Sequence, residues 1–206
     1  MPSIAAHFVC ADIVYNRIKD KINNKSDFYR GCILPDIIDL ENSHYKIRGT
    51  YYLIPDIEKY KRMFDTNIDL NSGYLCHLLL DKYFLEEYII KNIKNYDKID
   101  LFSPEGMYND YTNINAILIR NFNLNLNYIN SIMSNIDIKV NKSKYETNIK
   151  NISNLKPGIP RYIDVDKFEK FLNDISVTIS KQLKRWFNAS IISRMCVCFT
   201  KWDKYW

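Results

Sequence analysis

Residues Tyr74 to Tyr88 read Tyr-Leu-Cys-His-Leu-Leu-Leu-Asp-Lys-Tyr-Phe-Leu-Glu-Glu-Tyr. Apolar side chains recur there at helical spacing, and the pattern continues through Ile89, Ile90 and Ile93, so the stretch reads as a buried helix. At about 100° per residue, His77 and Asp81 project from nearly the same side, one turn apart. An imidazole stacked over a carboxylate is half of a metal site. The same spacing also arises in a core helix whose histidine is satisfied by one bond and whose aspartate pairs locally. Taken alone, His-x-x-x-Asp fits that simpler reading better, and any further ligands have to come from other segments.

Toward the N-terminus, Ser3 can cap a helix with an apolar stripe of Ile4, His7, Ala11, Val14 and Ile18, which places His7 on the buried face. After the Asn23-Asn24 breaker, Asp27-Phe-Tyr-Arg-Gly-Cys-Ile-Leu leads into Pro35-Asp36-Ile37. Pro35 suits the first position of a new helix, and Asp36 would then sit at its positive end. A mostly polar connection from Glu41 to Pro55 carries His44. Asp56 opens a short amphipathic helix through Ile57, Tyr60 and Phe64, and Asn71-Ser-Gly precedes the central helix.

Toward the C-terminus, Ser103 to Thr112 is a turn-rich entry to a helix containing Ile114, Ile117, Leu118 and Phe122, and helical period persists from Asn123 to Ile136. Residues 137–161 are polar, carry Pro157-Gly158 and Pro160, and read as a long loop or insertion. Asp164 and Asp166 open a last long helix with Phe168, Leu172, Ile175, Ile179 and Leu183 on one face, followed by a final helix from Ile191 to Phe199. The tail from Lys181 to Trp206 mixes basic and aromatic residues. Packing on the core is the favoured reading for it; peripheral contact with a membrane surface and stacking against single-stranded nucleic acid rank below.

Composition agrees with a helical chain. Its 206 residues suit one domain with a large core, and only 5 Gly and 6 Pro leave little material for the turns of an all-β fold. A net charge of +5 is compatible with an anionic partner and specifies no nucleic acid. Five cysteines without a Cys-x-x-Cys spacing argue against a zinc knuckle or a thioredoxin-like pair, and Cys10, Cys32 and Cys76 lie in apolar surroundings. The N-terminal residues lack the pattern of a signal peptide, and no apolar run reaches the roughly 18 residues of a membrane span. The expectation is a soluble, cytoplasmic protein.

The chain has three histidines, and their order with the acids is informative. Met1 to His7, the Phe28 to Ile37 segment, Ser43-His44, the His77 to Asp81 helix and Asn109-Asp110-Tyr111-Thr112 together resemble the bacterial zinc-dependent phospholipase C family. The likeness is to its shorter relatives and covers about the first 120 residues. The resemblance implies an all-α, multi-helix fold, a single domain over residues 1–206, and zinc held in a cleft. Asp36, His44, His77 and Asp81 would hold one ion, and His7 would face a neighbouring ion bridged by Asp36 and Asp81. No His follows His77, and Met1-Pro2 stands where secreted members present a metal-binding Trp. One or two zinc ions are therefore expected rather than three.

Among the spare carboxylates Asp110 ranks first, since Glu86 and Glu87 point away from His77 on the helix wheel. The activity implied is hydrolysis of a phosphate ester or phosphodiester by a metal-activated water that Asp36 orients or deprotonates. Arg30, Tyr29, Tyr108 and Tyr111 are candidates to contact the anionic substrate. Two alternatives stand beside it: a non-catalytic helical protein with a closed structural zinc site, and a metallohydrolase acting on a non-phosphate ester or amide in specialised metabolism.

Overall fold

The computed structural model describes residues 2–38, 42–62, 67–93, 101, 103, 106–134, 141–153 and 158–202, and these are mostly helical. Helix α1 (Ile4–Ile18) starts where Ser3 accepts the Ala6 amide, and it is buried almost all round through Ala11. A helix apolar on every side belongs at the centre of a packed domain. Helices α2 (Lys25–Ile37), α4 (Ile68–Tyr83) and α9 (Val165–Trp202) pack around it. Asn24 caps α2 through the Asp27 amide, and Asn67 caps α4 through the Leu70 amide. The buried side chains form one continuous cluster.

The α2–α4 contact sets the geometry of everything that follows. A Cβ on Gly31 would lie 2.0 Å from the Leu70 carbonyl oxygen, and one on Gly73 would lie 1.9 Å from the Phe28 carbonyl oxygen. Only glycine lets the two backbones approach so closely. One turn beyond this crossing, the side chain of His77 reaches the backbone of α2. Asn71-Ser-Gly reads as the approach to the central helix, but α4 begins at Ile68, and Gly73 is a packing residue inside it.

A second correction concerns Pro35. It does not open a new helix but lies inside α2, which runs on to Ile37. The burial of Ile33, Leu34 and Ile37 carries the helix through the proline for two residues before it stops. Asp36 therefore sits in the last turn, at the negative end of the helix dipole, the reverse of the expected placement.

The polar connection is also more ordered than the sequence suggests. Strands β1 (Lys46–Arg48) and β2 (Leu53–Pro55) form an antiparallel hairpin with Ile47 opposite Ile54, closed by the Gly49 amide on the Tyr52 carbonyl at 2.9 Å. Tyr45, at φ 49°, turns the chain between His44 and β1. Asp56 caps α3 (Ile57–Lys61) through the Lys59 amide at 2.9 Å, as a helix-start acid should. Beyond α4 the chain takes a π-helical turn, Phe84–Ile89, before a last turn α5 (Ile90–Asn92).

In the second half, α6 (Met107–Asn121) and α7 (Leu126–Ser134) are separated by Asn123 at φ 50°. Residues 142–153 of the segment read as a loop form helix α8 (Lys142–Ser153). The two C-terminal helices expected from sequence are one, α9, of 38 residues. Its Leu183 and Phe187 are buried in the core, so this part of the basic-aromatic tail packs inward; residues 203–206 lie outside the described residues. Among the described residues no helix is long and apolar enough to cross a membrane.

Candidate metal centre

Four segments deliver five polar side chains, His7 from α1, Asp36 from the end of α2, His44 from the turn before β1, and His77 with Asp81 from α4, to two adjoining groups that share His77: His7, His77 and Asp81, and Asp36, His44 and His77. His44 Nε2 lies 3.3 Å from Asp36 Oδ1, 3.5 Å from Asp81 Oδ2 and 3.2 Å from His77 Nε2. His77 Nε2 lies 3.5 Å from Asp81 Oδ2 and 3.9 Å from Asp36 Oδ1. Four donors about 2.0–2.1 Å from a tetrahedral ion stand about 3.3–3.4 Å from one another. The observed spacings scatter around that edge. His7 Nε2 approaches the other oxygen of Asp81 at 3.4 Å, and its ring stacks on His77 at 3.7 Å between centroids.

Outer contacts hold the rings in position. His77 Nδ1 lies 2.7 Å from the Cys32 carbonyl oxygen, which can only accept, so Nδ1 carries a proton and Nε2 is the atom turned toward Asp81. The Ser43 hydroxyl lies 3.1 Å from His44 Nδ1, within hydrogen-bond reach, and holds that ring in orientation. Ser43 is itself fixed, since the Tyr74 hydroxyl donates to its carbonyl oxygen.

Electrostatics make a cation the natural occupant. Both oxygens of Asp81 and both ring nitrogens of His7 are buried without a hydrogen-bond partner among the described residues. Burial alone would push Asp81 toward the neutral form; His77 and His7 outweigh it and hold the carboxyl well below its ordinary value. Asp36 behaves likewise. Burial raises it, while His77, His44 and His7 bring it down to about 2. At His77 burial lowers the pKa, but Asp81 and Asp36 raise it by more. His7 is lowered by burial and by its neighbour His77. Two ionised carboxylates among imidazoles in a largely buried site carry a charge of −2 that a divalent ion offsets. The residues present can therefore hold a metal ion.

The cluster opens on solvent at two places. Asp36 and His44 line a cleft of about 690 Å³ together with Lys46, Tyr108, Tyr111 and Lys144. Asp81 and His44 also border a smaller cavity of about 240 Å³ with Lys46, Leu53, Leu85 and Tyr108. Lys144 comes from α8, within the segment that reads as a loop, and Lys46 from the connection that reads as mostly polar, so neither had a signal in the sequence.

Three sequence candidates stand elsewhere. Asp110 is no spare ligand: its carboxylate accepts the backbone amides of Arg161 at 2.8 Å, Tyr162 at 2.6 Å and Ile163 at 3.3 Å, anchoring the segment before α9. Arg30 pairs with Asp27 within α2 and does not line the cleft. Tyr29 donates to Asp12 at 2.6 Å on another face. Cys10, Cys32 and Cys76 are free, buried thiols, with Cys10 and Cys76 sulfurs 3.9 Å apart.

No family model, no curated protein and no solved structure matches this chain.

Proposed function

We propose that this chain is a zinc-dependent hydrolase of phosphate esters or phosphodiesters, akin to the zinc-dependent phospholipase C family that its motifs resemble. The observation that carries the reading is Asp81, a buried carboxylate with no hydrogen-bond partner among the described residues, set among three histidines and bordering a small cavity with Lys46, while Asp36 and His44 of the same cluster line the larger cleft with Lys46 and Lys144. A mixed imidazole and carboxylate set with donor atoms this close suits zinc. Asp36, His44, His77 and Asp81 would hold one ion, with His7 on the far oxygen of Asp81. Zinc bound there supplies a Lewis acid for the phosphoryl oxygens and lowers the pKa of water.

The chain's own groups do the rest. Asp36, ionised at neutral pH and facing the cleft, accepts a proton of the attacking water in a hydrogen bond and so aims it. Tyr111 lines the same cleft, and burial holds its phenol well above the ordinary value, so it stays protonated and can donate to a phosphoryl or leaving-group oxygen. Lys46 and Lys144, on opposite chain segments, supply positive charge for the anion.

One feature favours a second reading. Asp36, His44, His77 and Asp81, with donor atoms 3.2 to 3.9 Å from His44 and His77, could complete the coordination of a single ion, which is what a structural site requires. Metal content by inductively coupled plasma mass spectrometry, paired with turnover of bis(p-nitrophenyl) phosphate and p-nitrophenyl phosphate, separates the two. Zinc at one or more per chain with turnover that disappears in Asp36→Ala supports the hydrolase. Stoichiometric zinc with no turnover of either ester moves the assignment to a structural site, and a protein that takes up no zinc overturns both.

A further inference from the structure

Only five large hydrophobic side chains are strongly exposed among the described residues, and three of them belong to the hairpin: Tyr51 at 56%, Leu53 at 57%, which borders the cavity of His44 and Asp81, and Ile47 at 44%, which lines a separate cavity with Lys82 and Trp186. A fourth, Tyr108 at 45%, lines the same small cavity as Leu53. Scattered exposed apolar residues need no explanation, whereas a group of them at the mouth of a cleft marks a surface that something covers.

We infer that the hairpin tip is a docking element for an anionic lipid surface, which it meets with the cleft mouth toward the lipid. Charge supports that occupant. Residues 42–55 contain Lys46 and Arg48 and no acid, and both cations are exposed. The acids that follow are engaged elsewhere: Asp56 caps α3, and Glu58 pairs with Lys61 at 2.8 Å. Register places Arg48 directly opposite Leu53, so cation and apolar side chain share one face, while Tyr51 projects from the turn between the strands. Tyrosine and aliphatic groups interspersed with basic residues suit the headgroup boundary, where rings and methyls enter and ammonium groups stay among lipid phosphates.

Size argues against a folded protein as the partner. A stable protein interface enlists about 20–30 residues a side. The hairpin offers a handful, enough for shallow, salt-sensitive contact with a membrane and too little for a protein pair. The tail, the other basic and aromatic segment, has Leu183 and Phe187 committed to the core. The hairpin borders the metal ligands, and Lys46 lines the cleft as well, but lipid contact by Arg48, Tyr51 and Leu53 requires no bound metal and is read separately from turnover.

The test is co-sedimentation of the full chain with vesicles of phosphatidylcholine alone and of phosphatidylcholine mixed with phosphatidylglycerol, at low and high salt. The expected result is binding to the anionic vesicles only, weakened by salt. Lys46→Ala/Arg48→Ala should reduce the bound-to-free ratio about tenfold or more. Tyr51→Ser/Leu53→Ser should reduce it by a similar factor with the circular dichroism unchanged, and the charge-matched control Lys167→Ala/Lys170→Ala should leave it in place. Asp81→Asn, which disables the metal site, should still bind vesicles, so a failed hydrolase reading and a failed docking surface give different results. Absence of vesicle binding, or binding indifferent to the hairpin variants, overturns the inference. A dimer in solution that Leu53→Ser dissociates, without vesicle binding, overturns it in favour of a second copy of the chain.

Discussion

Asp81 and Asp110 are both buried, at 0% and 2% exposure, yet the two regions treat the charge in opposite ways. Around Asp110 the protein supplies three backbone amides, so the carboxylate is satisfied by the fold itself and ties the segment before α9 to α6. Around Asp81 no amide or hydroxyl among the described residues donates, and the charged neighbours are three histidines. A carboxylate with its own donors is architecture. One left with imidazoles, in a protein that elsewhere caps and clamps its acids, is arranged for a cation.

That contrast can be broken by substitution. Asp81→Asn removes an anionic ligand and should lower zinc affinity on the order of a thousandfold while keeping the helical circular dichroism, measured by competition with a chromophoric chelator. Undiminished zinc binding would make the two aspartates alike and the contrast empty. Asp110→Ala should do the converse. It strands three amides and should cost about 3 kcal/mol in urea unfolding, with zinc stoichiometry unchanged. A variant as stable as the parent would show that the segment before α9 is held by something else.

Proton linkage sharpens the same distinction, since only the Asp81 region should couple metal to pH. In the metal-free protein the His77 pKa lies above its ordinary 6.5, because its two carboxylate neighbours outweigh burial. That pairing stabilises the metal-free fold below pH 6.5 and is lost as pH rises through the raised value. Asp36, held at about 2 against an ordinary 3.8, acts in the opposite sense, contributing stability above 3.8 that is lost as pH falls toward 2. Zinc must displace the His77 proton, so its affinity should rise about tenfold per pH unit until that group has titrated. Proton release on zinc addition in weak buffer reads this directly; an affinity flat from pH 6 to 7 would remove His77 from the ligand set.

The smallest effect is expected at the rim. Ser43→Ala deletes the hydroxyl that orients His44 and should weaken zinc by about tenfold, without changing proton release at His77. A change as large as that of Asp81→Asn would mean that Ser43 itself is a ligand.

The central helix and the His77–Asp81 pair were legible because a period of 3.6 residues puts positions i and i+4 on one side whatever packs against them. Ser3, Asp56 and the apolar stripe of the last helix were legible for a similar reason, since caps and stripes act within a few residues. Asp36 was recognised by its place in the motif order but assigned to the wrong end of a helix, because a proline reads locally as a start, while burial of Ile33, Leu34 and Ile37 carries α2 through it. Asp110 looked free because its partners lie some 50 positions later in the chain. The α8 lysine and the hairpin were hidden in segments whose short-range signals are polar.

Sequence by itself therefore determined the mostly helical class, the main helices and the residue types that can meet a metal, since these depend on local periodicity and chemistry. Tertiary structure alone decided that those residues converge. Gly31 and Gly73 let α2 and α4 touch, which brings the Cys32 carbonyl and Asp36 to His77, and no local pattern encodes the distance between two helices.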